Sequence, residues 1–391
     1  MRPYLATEPF TMVDHAGRPF SYGVGQSLML APEAAAALGN NVLDPTTLPP
    51  VDWWGAPRRI LAEEFCETQP VPFLEAPTHG ALRILQGVGF DPGCAAYRFH
   101  TALNETTPHA SMFFRWKDSS PYTSMRQFDG ERDLALLRAA VLEADVVHCH
   151  MNYLAITNSR VRPKGRIIRH YHGSLPTGES LVEQSLDDAW GAVQVGARLS
   201  HLEQSPRMHW LPIAVPVDRY KAMADKAELT RRPRRSRGVF RVAHSPTNRG
   251  YKGTDALLDV TRRMRNNGAG IEVMLIEGMR HGAALLAKAT CDVVFDSFWL
   301  GIQGSGLEGG AMAMPVIAGD PHVAELYREH VGHVPYTFAD DAETLERKLF
   351  ALMDEPNYYA AEAARVHAYV RTYHDYAAVA KRYDAILEAE L

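Results

Sequence analysis

The chain has 391 residues, 46% of them hydrophobic and 22% charged, with a formal net charge of -5. That length fits two or three domains with substantial cores, and the charge excludes a global basic field that would draw the protein to nucleic acid or anionic membrane. Four cysteines, Cys66, Cys94, Cys149 and Cys291, lie far apart and form no CxxC pair, which argues against a zinc site and against a disulfide framework and favours a reducing, cytoplasmic compartment. The opening MRPYLATEPFTMV lacks a basic stretch before an apolar core and does not read as a signal peptide. No apolar run approaches the length that spans a bilayer.

Residues 1–80 are Pro-rich and weakly periodic, and form an N-terminal extension with no assigned role. Within it, TMVDHAGRPFSYGVGQSLML suits a short hairpin punctuated by glycines, and PEAAAALG suits a short helix stopped at Gly39. From residue 81 to 218 strands and helices alternate. ALRILQGVGF is a strand and CAAYRFHTALNE a helix. SMFFRW is a strand, GERDLALLRAAVLEA an amphipathic helix, and DVVHCHM a buried strand. RIIRHYHG, GAVQVGA and HWLPIAV are further strands. Short apolar strands alternating with amphipathic helices imply parallel βαβ units, and ligands on such sheets sit at the carboxyl ends of the strands.

Residues 219–238, with the run TRRPRRSRG, show no apolar periodicity and read as an interdomain linker. The arginines of 231–237 suit a polyanion, but a solvated linker is the favoured reading. A second series follows in 239–370: strand FRVAHSP, helix TDALLDVTRRMRNNG, strand IEVMLIEG, helix GAALLAKA, strand CDVVFDSF, helix GLEGGAMAM and strand PVIAG. Two long helical segments, roughly 340–355 and 357–390, end the chain.

Two constellations carry chemistry. In FRVAHSPTNRGYKGTD a strand ends at Ser245-Pro246, and a polar loop carries Arg249, Lys252 and Gly253. Arg offers a planar fork and Lys a point charge, a combination suited to a diphosphate; an ordinary solvated loop has the same composition. In CDVVFDSFWLGIQGSGLEGGAMAMPVIAGD, Gly301, Gly304 and Gly306 make a turn into a helix that starts near Ser305 and carries Glu308. Free N–H groups at such a start bind anions. Glu308 is a residue type that accepts ribose hydroxyls, or it complements the helix dipole. No Asp-x-Asp pair occurs, which agrees with a site that uses no divalent metal and no cofactor. His148 and His150 share one face of a strand, and so do His170 and His172. Packed, hydrogen-bonded histidines are the ordinary outcome for such pairs; they can bind metal, but no convergent carboxylate is evident.

These segments resemble the retaining glycosyltransferases of GT-B architecture, in the family 4-like group. The resemblance rests on Arg249 through Lys252-Gly253, on Gly304, Glu308 and Ala311-Met312-Ala313, and on Pro315-Val316-Ile317. It extends to the strand ending at Gly278 and to the closing segment YVRTYHDYAAVAKRYDAIL. It implies two Rossmann-like domains facing across a cleft, residues 81–218 on the acceptor side and 239–370 binding the nucleotide-sugar, with a helix over 371–391 crossing back. Ser245, Arg249, Lys252, Gly278, Gly304, Ser305 and Glu308 would then bind the donor. Gly93 would lie near its phosphates, and His172 would face its sugar. Arg249 and Lys252, with His172, would be the catalytic set. The family often has a Glu eight positions before the residue matching Glu308; here that position is Leu300. The implied activity is transfer of a sugar from a nucleotide-diphosphate donor to a sugar, lipid, protein or modified DNA acceptor, with retention and without metal. A nucleotide-sugar epimerase and a non-catalytic nucleotide-sugar-binding protein are the alternatives.

Overall fold

The computed structural model describes residues 80–88, 95–115, 134–151, 156, 163–173, 191–229, 238–279 and 281–390, together with five short strands within residues 2–43. These strands are β1 (Arg2–Ala6), β2 (Phe10–Val13), β3 (Pro19–Tyr22), β4 (Ser27–Leu30) and β5 (Val42–Leu43). The expected hairpin is the antiparallel pair β2–β3, with Phe10 opposite Tyr22 and Val13 opposite Pro19. β1 pairs with β4 and β5, both antiparallel. The helix expected over PEAAAALG, the residues around Gly93 and the arginines of 231–237 lie outside the described residues.

The chain divides into two compact units. The first comprises residues 65–217, Glu325–His333 and Tyr369–Leu391. Its elements begin with β6 (Arg83–Val88), α1 (Ala95–Thr106), β7 (Ala110–Arg115), α2 (Leu134–Glu143), β8 (Val146–His150), β9 (Arg166–Tyr171), β10 (Val193–Gly196) and β11 (His209–Trp210). They form a parallel sheet in the order β11-β10-β9-β8-β6-β7. β8 is buried at every residue, as a strand covered on both faces must be. The segment HWLPIAV forms a strand over two residues only; the Leu211 N–H still donates to the Gly196 carbonyl at 3.0 Å, and Pro212 after it has no N–H to continue the ladder.

The second unit holds Asp218–Ala324 and Val334–Ala368, with the N-terminal strands grouped with it. It opens on α3 (Val217–Leu229), so residues 219–229 of the expected interdomain linker are helical. Val217, Tyr220 and Met223 are buried at three-residue spacing, a one-sided stripe that suffices for a helix even among charged neighbours. Then come β12 (Phe240–His244), α4 (Arg249–Lys252), α5 (Thr254–Asn266), β13 (Ile271–Leu275), α6 (His281–Ala289), β14 (Val293–Phe295), α7 (Gly304–Ala311), β15 (Val316–Ala318), α8 (Pro321–Val331), β16 (Thr337–Phe338) and α9 (Ala342–Asp354). The five parallel strands run β13-β12-β14-β15-β16. Both sheets therefore reverse direction of strand addition beside their first strand, β6 next to β8 and β12 next to β14. In such sheets the crevice at that reversal is where ligands bind.

The chain closes with α10 (Pro356–His374) and α11 (Tyr376–Glu390), so three helices stand where two were expected. The break falls at Asp375, which bridges to Val215 while the Val215 N–H donates to the His374 carbonyl at 2.7 Å. That long-range pairing leaves no local trace. Tyr376, Val379, Ala380, Tyr383, Ile386 and Leu387 of α11 join one core of the first unit with Phe99 and Leu103 of α1.

Candidate functional site

In the second unit the chemistry gathers at the β12–β14 reversal. Lys252 is not on an irregular loop: Arg249–Lys252 is one helical turn, opened by Asn248, whose side chain accepts from the Tyr251 N–H, and closed by Gly253 at φ 70°. A Cβ at Gly253 would lie 2.4 Å from the Phe298 ring, so only glycine meets both the left-handed backbone and the close approach. The turn places Lys252 Nζ 2.7 Å from Asp296 Oδ1, with both groups nearly buried. The other Asp296 oxygen accepts from the backbone N–H groups of Gln303 at 2.6 Å and Gly306 at 3.0 Å. Asp296 thus ties the Lys252 turn to the first turn of α7 and satisfies two donors of the Gly-rich turn. Gly306 permits this, since a Cβ there would stand 2.6 Å from Asp296 Oδ2.

Arg249 forms a bidentate pair with Glu277, Nε to Oε1 at 2.8 Å and an Nη to Oε2 at 2.5 Å. The Arg249 hydrogen bonds hold the Glu277 carboxyl below the usual carboxylate range, against partial desolvation. Gly278 follows at φ 65°. Glu308 is buried and gripped from two sides: Oε1 lies 2.7 Å from His281 Nε2 and Oε2 2.5 Å from Lys288 Nζ. Lys288 also donates to the Ser305 carbonyl at 3.2 Å. The hydroxyls of Ser245 and Ser305 are buried and have no hydrogen-bond partner among the described residues; a buried hydroxyl in that state is an unfilled ligand contact or a cost to the fold. Beside Arg249 an open pocket of about 470 Å³ is lined by Asn248, Gly250, Tyr251 and Trp299.

Ser245, Arg249, Lys252, Gly278, Gly304, Ser305 and Glu308 all lie in this unit. The sequence patterns did not single out Glu277, which holds Arg249, or His281 and Lys288, which hold Glu308. Lys288 left a signal, being the one lysine in the otherwise small and apolar GAALLAKA stretch, and it is 1% exposed. Asp296 directly follows β14; its inward turn, toward Lys252 and the start of α7, is a tertiary fact.

His172 lies in the first unit, after the carboxyl end of β9. It does not stand alone. His150 Nδ1 is 2.6 Å from His172 Nε2, and His148 Nε2 is 3.2 Å from His170 Nδ1. Burial, reinforced by neighbouring His150 and His201 and by Arg198 and Arg98, pushes the His172 imidazole well below its ordinary range. The ring is held neutral at physiological pH, able to accept or donate one hydrogen bond at each nitrogen.

No protein-family model matches the chain, and no curated protein matches its sequence. Solved structures do match. The HepE protein of Anabaena in complex with UDP is 14% identical, with a TM-score of 0.55 over 79% of this chain and 100% of its own. An alpha-glucosyltransferase in complex with UDP-glucose and DNA containing an abasic site is 12% identical, with a TM-score of 0.55 over 79% of this chain and 100% of that one. A glycosyltransferase from Rickettsia africae is 12% identical, with a TM-score of 0.55 over 80% and 99%. Among the described residues no helix is long and apolar enough to cross a membrane. Two α/β units, each on one parallel sheet with its reversal beside the first strand, give the chain the GT-B fold of these glycosyltransferases.

Proposed function

We propose that the protein transfers a sugar from a nucleoside-diphosphate donor bound by its second unit. The observation that carries the reading is Asp296, which clamps the Lys252 turn to the α7 start at the sheet's reversal. An ammonium has three donors, and Asp296 takes one of those on Lys252; the others suit phosphate oxygens. The Arg249 fork exchanges Glu277 for the diphosphate, and the unpartnered Ser245 and Ser305 hydroxyls complete its contacts. Glu308, oriented by His281 and Lys288, takes the ribose hydroxyls. Support comes also from the fold, which is shared with proteins solved with UDP and UDP-glucose. Lys252, Arg249 and the α7 N–H groups offset charge as the diphosphate departs, so the proposed transfer needs no metal at the phosphates. Retention follows if the acceptor attacks from the face that the diphosphate leaves.

A thermal-shift screen against UDP-, GDP-, ADP- and TDP-sugars tests donor binding. A ligand at about a hundred times its Kd adds about 2.7 kcal/mol to the native state, and one nucleotide is expected to stand out. With that donor and a panel of sugar, lipid, protein and modified-DNA acceptors, Lys252→Ala should lose transfer while keeping its fold. Unchanged transfer in that variant overturns the assignment. Leu300, aliphatic where the resembling family often has Glu, favours one rival: a protein that binds the nucleotide-sugar without turning it over. Donor hydrolysis in the absence of acceptor argues against that rival.

A further inference from the structure

We propose that His148, His150 and His170 bind one transition-metal cation of the zinc class within the first unit. The site does not rest on the transferase reading. β8 and β9 are adjacent and parallel, with His150 in register opposite His170. Strand alternation therefore puts His148, His150, His170 and His172 on one face. One nitrogen from each of His148, His150 and His170 lies within 4.8 Å of the others, and all three residues are buried. The 3.2 Å between His148 Nε2 and His170 Nδ1 is close to the edge of a tetrahedron with metal–nitrogen bonds of about 2.0–2.1 Å.

Proton placement favours ligation. His170 Nε2 lies 2.9 Å from the Leu211 carbonyl, which can only accept. The proton is therefore on Nε2, and Nδ1 carries the lone pair. His150 repeats the pattern, with Nε2 2.7 Å from Gln86 Oε1, so its Nδ1 is unprotonated and faces His172 Nε2 at 2.6 Å, a contact that the cation replaces. Metal-binding histidines almost always donate the second ring N–H to a carbonyl or carboxylate in this way, which fixes tautomer and orientation before the ion arrives. Neutral imidazole is the form that ligates. Phe99 packs edge-on against all three rings, and Tyr383 stacks on His148. The walls are thus aromatic, and the three ligating atoms are all nitrogen. Such a donor set selects a zinc-class ion over Mg²⁺ or Ca²⁺.

The test uses the untagged full-length protein, freed of metal with a chelator and titrated with Zn²⁺ by calorimetry and with Co²⁺ by visible absorption. One equivalent of each is expected, with cobalt bands of a low-coordinate nitrogen site. His148→Ala and His170→Ala should each weaken binding by roughly 100-fold or more, and Gln86→Leu by about 10–100-fold through lost orientation. His330→Ala, an exposed position on α8, should bind as the parent does. Absence of stoichiometric binding in the parent protein overturns the proposal whether or not the variants fold. So does stoichiometric binding left unchanged in both His148→Ala and His170→Ala.

Discussion

The first unit buries imidazoles, while the second buries ion pairs. His148, His150 and His170 sit at zero exposure in the first unit, where burial first and neighbouring histidines second hold their pKa values down. In the second unit Lys252 meets Asp296, and Lys288 meets Glu308. Both clusters stand at the carboxyl ends of parallel strands, yet they solve opposite problems. A neutral imidazole avoids the cost of burying charge but leaves a lone pair to satisfy. A buried ion pair satisfies its groups but depends on both partners.

Acid should separate the two units most strongly. His148, His150, His170 and His172 are shifted well below their ordinary value of 6.5, and His100, His201 and His374 of the same unit also stay neutral, the last three near 4. A depressed imidazole means that the unfolded chain binds more protons, so stability is full above about 6.5 and falls as pH drops toward 4. Each such histidine adds to that slope, and the four mutually interacting imidazoles titrate as a group. The lowered carboxyls of the second unit, Glu277 and Asp341, have the opposite shift. Their contribution persists until pH falls below their ordinary values of 4.5 and 3.8. Burial also lowers His244 at the end of β12, but it stands alone there among the shifted imidazoles of the described residues, so hydrogen exchange at pH 7 and pH 5 should show β8 and β9 losing more protection than β12 and β14. Equal loss in both sheets would break the comparison.

Asp296→Ala is the next largest effect. It leaves Lys252 buried without its partner and frees two backbone donors, and chemical denaturation should show a loss of about 3–5 kcal/mol. Asp296→Asn, which keeps an acceptor, should recover part of that loss. Gly306→Ala tests the approach of α7 by steric means alone. Its Cβ would stand 2.6 Å from Asp296 Oδ2 and 2.7 Å from Ile302, and overpacking of this kind costs about 1–3 kcal/mol. Arg249→Ala is expected to be smallest in stability, because Arg249 is exposed and its pair with Glu277 is screened by solvent. Its loss should appear instead in donor affinity measured by calorimetry. A variant that lost stability but not donor affinity would move Arg249 from the site to the scaffold.

Much of this was legible in the chain. The alternation of short apolar runs with amphipathic stretches gave both parallel sheets, because a strand buried on both faces must be apolar throughout. The Gly-rich turn before Glu308 and the cations after Ser245 stood out for the same kind of reason, as residue types that few positions tolerate. Less legible was α3, whose buried stripe of Val217, Tyr220 and Met223 is diluted by charges. The break at Asp375 was hidden, since its partner Val215 lies far away in sequence.

What the sequence by itself determined was the order of elements, the two α/β series, and the inventory of cations, glycines and histidine pairs. Local periodicity and residue chemistry suffice for these. Tertiary structure alone decided the partners. Parallel pairing of β8 with β9 merged two histidine pairs into one array, and the packing of α6 against α7 gave Glu308 its histidine and lysine. The placement of β14 beside β12 turned Asp296 from a strand-end carboxylate into the link between Lys252 and the α7 start. Each depends on contacts between residues distant in the chain, and a periodic pattern carries no record of which distant strand or helix lies alongside.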